Sequence, residues 1–245
     1  MIPYVRQEKI LELLENEEVV IIDDLKKSIP DVSVSTLRRD LKELEKANSV
    51  QMLSGGAVKL CSSVSELPIA TKSILHIEEK KYIANLAMRE INEGETIYLD
   101  SGSTCTALLK EILDKRIHII TTNTDVFSIR GKIKAEITML GGDFSPNISS
   151  LNGPLAIENL KNYIFDKAFI GANGIDLNYG VTTPNLIEAT KKKEAFKQSK
   201  KSYLLCDSSK FHKASTVKVF DFHNVVLITD RSDKELGKKM SIISV

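Results

Sequence analysis

Cysteine is scarce in this chain. Cys61, Cys105 and Cys206 are the three in 245 residues, and their spacing fits neither a disulfide framework nor a metal site. That excludes a stapled secreted fold and reads as free thiols in a reducing compartment. Histidine is equally thin: His76, His118, His212 and His223 are scattered, with no carboxylate or thiol cluster beside them. No metal is expected. No apolar run reaches membrane-spanning length, and the amino terminus has no signal-peptide core. A cytoplasmic chain with no membrane partner and no cofactor is expected. A basic surplus is also missing. Net charge is +1, and residues 1–60 hold nine Lys/Arg against eleven Asp/Glu, a net of −2. Any nucleic-acid affinity must then come from a local cluster and from two copies acting together. What the chain does have is 42% hydrophobic content and length for one large or two modest domains.

The stretch Ser33–Leu44 organises the first part. Leu37, Leu41 and Leu44 lie on one helical face, while Arg38, Arg39, Lys42 and Lys46 fall off it. Ser33 or Ser35 can cap the helix start. Small hydroxyls at the start, with guanidinium groups a turn later, suit a helix that enters a DNA major groove and holds flanking phosphates. The alternative is an ordinary surface helix with solvated charges. Its neighbours favour the first reading. A helix over Tyr4–Glu15 and a short helix ending near Ser28 precede it, with a turn at Pro30-Asp31. That is the order of a helix-turn-helix. Val50–Leu53 and Val58–Leu60 flank Ser54-Gly55-Gly56-Ala57, which predicts a hairpin, the wing of a winged helix.

Thr36-Leu-Arg-Arg-Asp-Leu41, then Leu44-Glu45 and Gly55-Gly-Ala57, resemble the amino-terminal signature of the DeoR family of bacterial transcriptional regulators. Three features depart from that pattern. Asn48 stands where the family usually has Gly, and Asn is the next-best residue for a left-handed turn. Met52 and Ser54 replace the usual Arg and His of the wing, removing phosphate or minor-groove contacts. The turn at Ile29-Pro30-Asp31 is about a residue longer. The DNA-facing set is Ser33, Ser35, Thr36, Arg38, Arg39, Lys42, Lys46 and Ser54.

Residues 61–77 are Ser-rich, contain a Pro and lack periodicity, so they are expected to be a linker. It divides a DNA-binding domain, 1–60, from a second domain, 78–245. There a helix over Glu78–Ile91 opens a strand–helix alternation. Strands are expected at Thr96–Leu99, Ile117–Thr121, Glu136–Leu140, Lys167–Ile170, Tyr203–Cys206, Val217–Phe220 and Val225–Thr229. Helices are expected at Thr104–Leu113, Asp125–Arg130, Leu155–Tyr163, Asn185–Ser199 and Lys234–Met240. Such alternation means an α/β fold with a mostly parallel sheet, whose ligands bind beyond the carboxyl ends of the strands. Those ends read Asp100-Ser-Gly-Ser-Thr104, Thr121-Thr-Asn-Thr124, Gly141-Gly142, Gly171-Ala-Asn-Gly174 and Asp207-Ser-Ser-Lys210. Loops favour Gly, Ser and Asn anyway. Their recurrence at five ends of one rim is what points to a site. Asp100–Thr104 leads straight into a helix, so hydroxyls and free N–H groups suit phosphate there.

The same segments, with Asp166–Gly171 and Gly180-Val-Thr-Thr183, are similar to the DeoR sensor domain, and the resemblance then spans nearly the whole chain. It implies a fold similar to ribose-5-phosphate isomerase and a phosphorylated sugar as effector. Asp100, Ser101, Gly102, Ser103 and Thr104 would hold the phosphate end. Thr122, Asn123, Gly141, Gly142, Asn173, Glu188, Lys191 and Lys210 would lie around the sugar. Two alternatives stand beside this reading. In a sugar-phosphate isomerase-like enzyme, Glu188 or Asp207 would move the proton and Lys191, Lys192 or Lys210 would polarise a carbonyl. Its acid–base segment is replaced here by Gly180–Pro184, and Cys105 reads as a packed small residue rather than a nucleophile. A binding module without a DNA role leaves Thr36–Leu41 unexplained. Lys191-Lys-Lys193 and Lys200-Lys201 read as solvated faces or ligand approach. The expectation is a non-enzymatic repressor of a sugar-use operon. It would bind double-stranded operator DNA as a homodimer or homotetramer, and a phosphorylated sugar would shift its population.

Overall fold

The computed structural model describes residues 1–17, 19–61 and 67–244. Two compact units divide the chain, Met1–Ile77 and Glu78–Val245.

The first unit runs α1 (Pro3–Asn16), β1 (Val20–Ile21), α2 (Ile22–Ser28), α3 (Val34–Lys46), β2 (Val50–Met52), β3 (Ala57–Leu60) and α4 (Ile69–Ile74). Ile10, Leu11 and Leu14 of α1 recur at helical spacing. They meet Ile22 and Leu25 of α2 and Leu37, Leu41 and Leu44 of α3 in one core. The wing is a three-stranded antiparallel sheet in the order β1-β3-β2, one strand more than the sequence predicts. Asn48 takes φ +54, the left-handed turn expected of it after α3. The long turn before α3 is packed rather than loose. Ile29 and Val32 are buried, and Lys26 Nζ donates to the carbonyls of Pro30 at 2.5 Å and Val32 at 2.9 Å.

The expected linker needs correction. Residues 62–66 lie outside the described residues, but α4 follows them. Its Thr71 hydroxyl is buried against Ser49 at 2.5 Å, and Leu75 joins the first unit's core. Six residues are too short to show a period, and only tertiary packing stabilises such a helix.

The second unit contains α5 (Ile77–Arg89), β4 (Thr96–Leu99), α6 (Ser103–Ile112), β5 (His118–Thr121), β6 (Glu136–Met139), β7 (Asp143–Ser145), β8 (Ser150–Asn152), α7 (Pro154–Leu160), β9 (Phe165–Gly171), β10 (Gly174–Asp176), β11 (Gly180–Thr183), α8 (Leu186–Lys197), β12 (Ser199–Leu205), β13 (Val217–Phe220), β14 (Val225–Ile228), α9 (Lys234–Gly237) and β15 (Ser241–Ile243). Seven parallel strands form one sheet in the order β15-β14-β12-β9-β4-β5-β6. The order reverses between β4 and β9, so their carboxyl ends flank the crevice where such sheets bind ligands. The buried strands are short apolar runs, and their two faces supply separate cores.

Several expectations shift here. Asp125–Arg130 is a single 3-10 turn over Thr124–Phe127. The last helix stops at Gly237. β13 leaves the main sheet and pairs with β11 in an antiparallel sheet ordered β10-β11-β13. A β7–β8 hairpin, absent from the sequence reading, follows the end of β6. Its turn to β6 is at Gly142, φ +151, where a Cβ would stand 2.3 Å from the Asn152 carbonyl oxygen.

Candidate functional site

In the first unit, α3 buries Leu37, Asp40, Leu41 and Leu44 and turns Ser35, Arg38, Arg39, Lys42 and Lys46 outward. Among the described residues no ion pair engages those four cations. Their charge is therefore available to a partner. Ser33 caps the helix: its hydroxyl accepts from the Thr36 N–H at 3.2 Å and sits 2.9 Å from the Ser35 and Thr36 hydroxyls. That makes Ser33 the helix cap, one of the two residues whose position suggested it. Ser54 is exposed on the wing turn.

Asp40, on the buried side, fixes how α3 is presented. Its carboxylate receives Arg6 Nε at 2.5 Å and Nη2 at 2.8 Å, joining α3 to α1. Asp40 raises the Arg6 pKa further above its ordinary value against the opposing effect of burial. Glu45 Oε1 accepts the Met52 N–H at 2.9 Å and ties α3 to the wing. Sequence reading missed Asp40 and Arg6 because a charged pair 34 residues apart leaves no local pattern.

In the second unit, the crevice between β4 and β9 holds a buried charge cluster. Lys191 is fully buried. Its Nζ donates to Glu188 at 2.7 Å, Ser150 at 2.7 Å, Asn152 at 2.8 Å and Ser101 at 3.3 Å. Ser101 in turn donates to Ser150 at 2.7 Å. Lys192 pairs closely with the buried Asp100 and lies 3.7 Å from Glu188 Oε2. Glu188 thus spans both ammoniums. Asp100 also accepts the Gly171 N–H at 3.1 Å, pinning β9 to β4. Burial alone would push the Asp100 carboxyl up, but Lys192 and Lys191 outweigh it and hold it below its ordinary value. Burial would lower Lys192, and Asp100 and Glu188 reverse this and raise it. Both groups of that pair stay ionised near neutrality.

These residues reach one place because of helix spacing. Glu188, Lys191 and Lys192 stand at i, i+3 and i+4 on α8, on one face. Asn185 caps α8, accepting the Ile187 N–H at 2.8 Å. The lysine run therefore splits: Lys191 and Lys192 are buried, Lys193 is exposed, and a solvated face describes the last alone. Lys200 and Lys201 are exposed, as expected.

Beside this cluster α6 begins. Gly102 precedes it with no side-chain cap, and the first helical bond runs from the Thr106 N–H to the Gly102 carbonyl at 2.7 Å. The early N–H groups are thus left without an intrahelical partner, beside the half-buried Ser103. Asp100 does not share this geometry. Its carboxylate is committed to Lys192 and Gly171, so it shapes the loop where direct contact with phosphate was expected.

Other expected residues distribute along the rim. Asn123 is buried and donates to Thr106 Oγ1 at 2.8 Å, and its backbone bridges to Ser150. Thr122 is fully buried, and its carbonyl accepts the Leu151 N–H at 2.9 Å, anchoring the hairpin. Gly141 is exposed and Gly142 packs on Asn152. Asn173 is half-buried and receives the Thr183 hydroxyl at 3.0 Å. Lys210 is half-buried in the short turn after β12, and Thr104 is buried at the start of α6. Ser150 and Asn152 were missed, and Lys192 entered only under the enzyme alternative. The Glu188-Lys191-Lys192 spacing was the one available signal for Lys192, while Ser150 and Asn152 sit on a three-residue strand with no readable period. Burial pushes the Cys105 thiol well up, which keeps it protonated and unreactive.

Among the described residues, no helix is long and apolar enough to cross a membrane. None of their His, Cys, Asp and Glu side chains gather in threes to hold a metal ion.

Comparison with known proteins gives a consistent picture. A DeoR-like helix-turn-helix domain matches residues 6–63, and a DeoR C-terminal sensor domain matches 75–231. The chain is 32% identical over 243 residues to the HTH-type transcriptional regulator GolR of Listeria innocua, covering 98% of this chain and 95% of that one. It is 31% identical over 236 residues to the transcriptional repressor AccR of Agrobacterium fabrum, covering 94% and 91%. Among solved structures, the ribose 5-phosphate isomerase A of Methanocaldococcus jannaschii is similar at 17% identity. Its TM-score is 0.41 over 56% of this chain and 55% of that one, too slight a likeness to argue from.

Proposed function

From its membership of the DeoR family of transcriptional regulators, to which this chain belongs, we propose that it represses a sugar-use operon and is controlled by a phosphorylated sugar. The family is one of DNA-binding regulators rather than enzymes. In this reading α3 enters the major groove of operator DNA. Ser35 and Thr36 approach base edges, Arg38 and Arg39 take phosphates or guanine, and Lys42 and Lys46 take phosphates. Ser33 fixes the helix start, and Ser54 meets the backbone from the wing. Two or more copies act together, because one small cluster in an acidic unit binds weakly alone.

The effector binds over the start of α6, with its phosphoryl group against Ser101, Gly102, Ser103 and Thr104. Asn123, Gly141, Gly142, Asn173 and Lys210 surround the sugar, and Lys191 and Glu188 lie beneath. The observation that carries this reading is the uncapped amino end of α6 set beside the buried Lys191–Ser101 chain, at the crevice where the strand order reverses. The ligand shifts the protein between DNA-competent and incompetent populations by binding them unequally.

The test is a thermal-shift screen of the full chain against phosphorylated and unphosphorylated sugars, with operator retention measured for each hit. A phosphorylated sugar should raise the melting point and change DNA affinity. Ser103→Glu should abolish both effects while leaving basal DNA binding intact. Arg39→Ala should weaken DNA binding and reduce its salt slope by about one, with ligand binding unchanged. A screen in which phosphorylation makes no difference would refute the effector assignment.

A further inference from the structure

The crevice cluster contains two carboxylates, Asp100 and Glu188, and two ammoniums, Lys191 and Lys192, all nearly or fully buried. Their formal charges cancel. A phosphoryl group arriving at Ser101–Thr104 would therefore meet no surplus positive charge, only the dipole of α6 and neutral hydroxyls. The two carboxylates differ in how firmly they are held. Asp100 is locked by Lys192 and by the Gly171 N–H, at the junction of two central strands. Glu188 is held by the lysines from the first turn of α8, where Leu186, Ile187 and Thr190 are all exposed. Glu188 is 3% exposed and Asp100 0%, so Glu188 is the nearer of the two to water.

We infer that Glu188 is a built-in rival of the ligand: it occupies the Lys191 ammonium that an incoming phosphate needs, and a phosphate-bearing effector binds by displacing it. This rests on the reading of the crevice as the effector site. Coulomb's law sets the scale. A second anion a few ångströms from Glu188 is repelled strongly at the effective permittivity of a protein interior, while the same anion gains from Lys191 once Glu188 has gone. Selectivity follows: a neutral sugar has no charge with which to displace a carboxylate, and a phosphomonoester does. The displacement also moves the first turn of α8, which carries the exposed Leu186 and Ile187, so ligand charge is converted into a change of surface.

The experiment is calorimetric titration of the full chain with inorganic phosphate, which has no sugar hydroxyls for Glu188 to contact. Glu188→Gln removes the rival charge and keeps the shape. It should bind phosphate at least about tenfold more tightly than the unaltered chain. Adding Lys191→Met removes the ammonium that the first change frees, leaves the Asp100–Lys192 pair intact and should return the affinity toward its original value. If Glu188→Gln fails to fold, Glu188→Asp, too short to span both ammoniums, should give a smaller gain. Equal or weaker phosphate binding by folded Glu188→Gln and Glu188→Asp, relative to the unaltered chain, overturns the inference. If sugar phosphates still raise the melting point of the unaltered chain in that case, the effector site stands and only the rivalry falls. If no phosphorylated compound binds any form, both fall.

Discussion

Replacing Asp40 by alanine would leave Arg6 with its guanidinium enclosed and its two carboxylate contacts gone. In a deep core, removing one partner of such a pair costs about 3–5 kcal/mol, because the other charge stays buried without compensation. This pair lies in a small unit near the start of α1, and the Arg6 stem can carry its head to water. The cost should then be about 2–3 kcal/mol, a large share of the roughly 5 kcal/mol that supports a domain of this size. A loss of that order lowers the first unit's melting point by roughly 10–20 °C. Urea and thermal unfolding of the full chain, followed by circular dichroism, should show an early transition that the unaltered chain lacks. The second unit should melt unchanged. Operator binding should survive at low temperature and fail near the new transition. The double variant Arg6→Met with Asp40→Leu removes both charges and should recover most of the stability. A loss below about 1 kcal/mol for Asp40→Ala, or a double variant no better than the single, would refute the role given to this pair.

Lys192→Met should destabilise the second unit by about 3–5 kcal/mol in urea titration, since it strands the buried Asp100; a loss under 1 kcal/mol would deny that the pair is buried and ionised. Because Asp100 titrates below its ordinary value in the folded chain, its contribution is complete above about pH 3.9 and is lost as pH falls through the lower folded value. Denaturant midpoints measured from pH 6 to pH 2.5 should drop in that range, and the drop should be smaller in Asp100→Asn. Gly142→Ala puts a Cβ against the Asn152 carbonyl at positive φ, so it should cost about 2 kcal/mol or more and blunt the effector response, read by melting with and without ligand. Asn48→Gly should raise stability by a few tenths of a kcal/mol without changing DNA affinity, because the left-handed turn after α3 suits glycine better.

The parts of the fold that could be read from the residues are those with a local rule. Leu37, Leu41 and Leu44 marked α3 by their spacing, and the main strands stood out as apolar runs separated by helical periods. The parts that escaped depend on pairing across distance. Asp143–Ser145 and Ser150–Asn152 are polar three-residue strands that exist because each has the other. β11 runs Gly-Val-Thr-Thr, and only its partners β10 and β13 make it a strand. The site divides in the same way. Asp100–Thr104 announced itself through glycine and hydroxyls before a helix. Lys191 was expected around the sugar, but the depth of Lys191 and Lys192 was not legible, because a lysine run carries no sign of burial. Glu188 on the same helix and Asp100, brought in after a different strand, together make their burial tolerable.

The tether between Thr71 and Ser49 has a practical meaning for anyone dissecting this molecule. A fragment cut after Leu60 would strip α4 and Leu75 from the core that Ile10, Leu11 and Leu14 share, baring apolar surface and orphaning a buried hydroxyl. The portable DNA-reading cassette is thus some seventy-seven residues long. Chimeras spliced at the wing should aggregate, whereas those spliced beyond His76 should exchange freely.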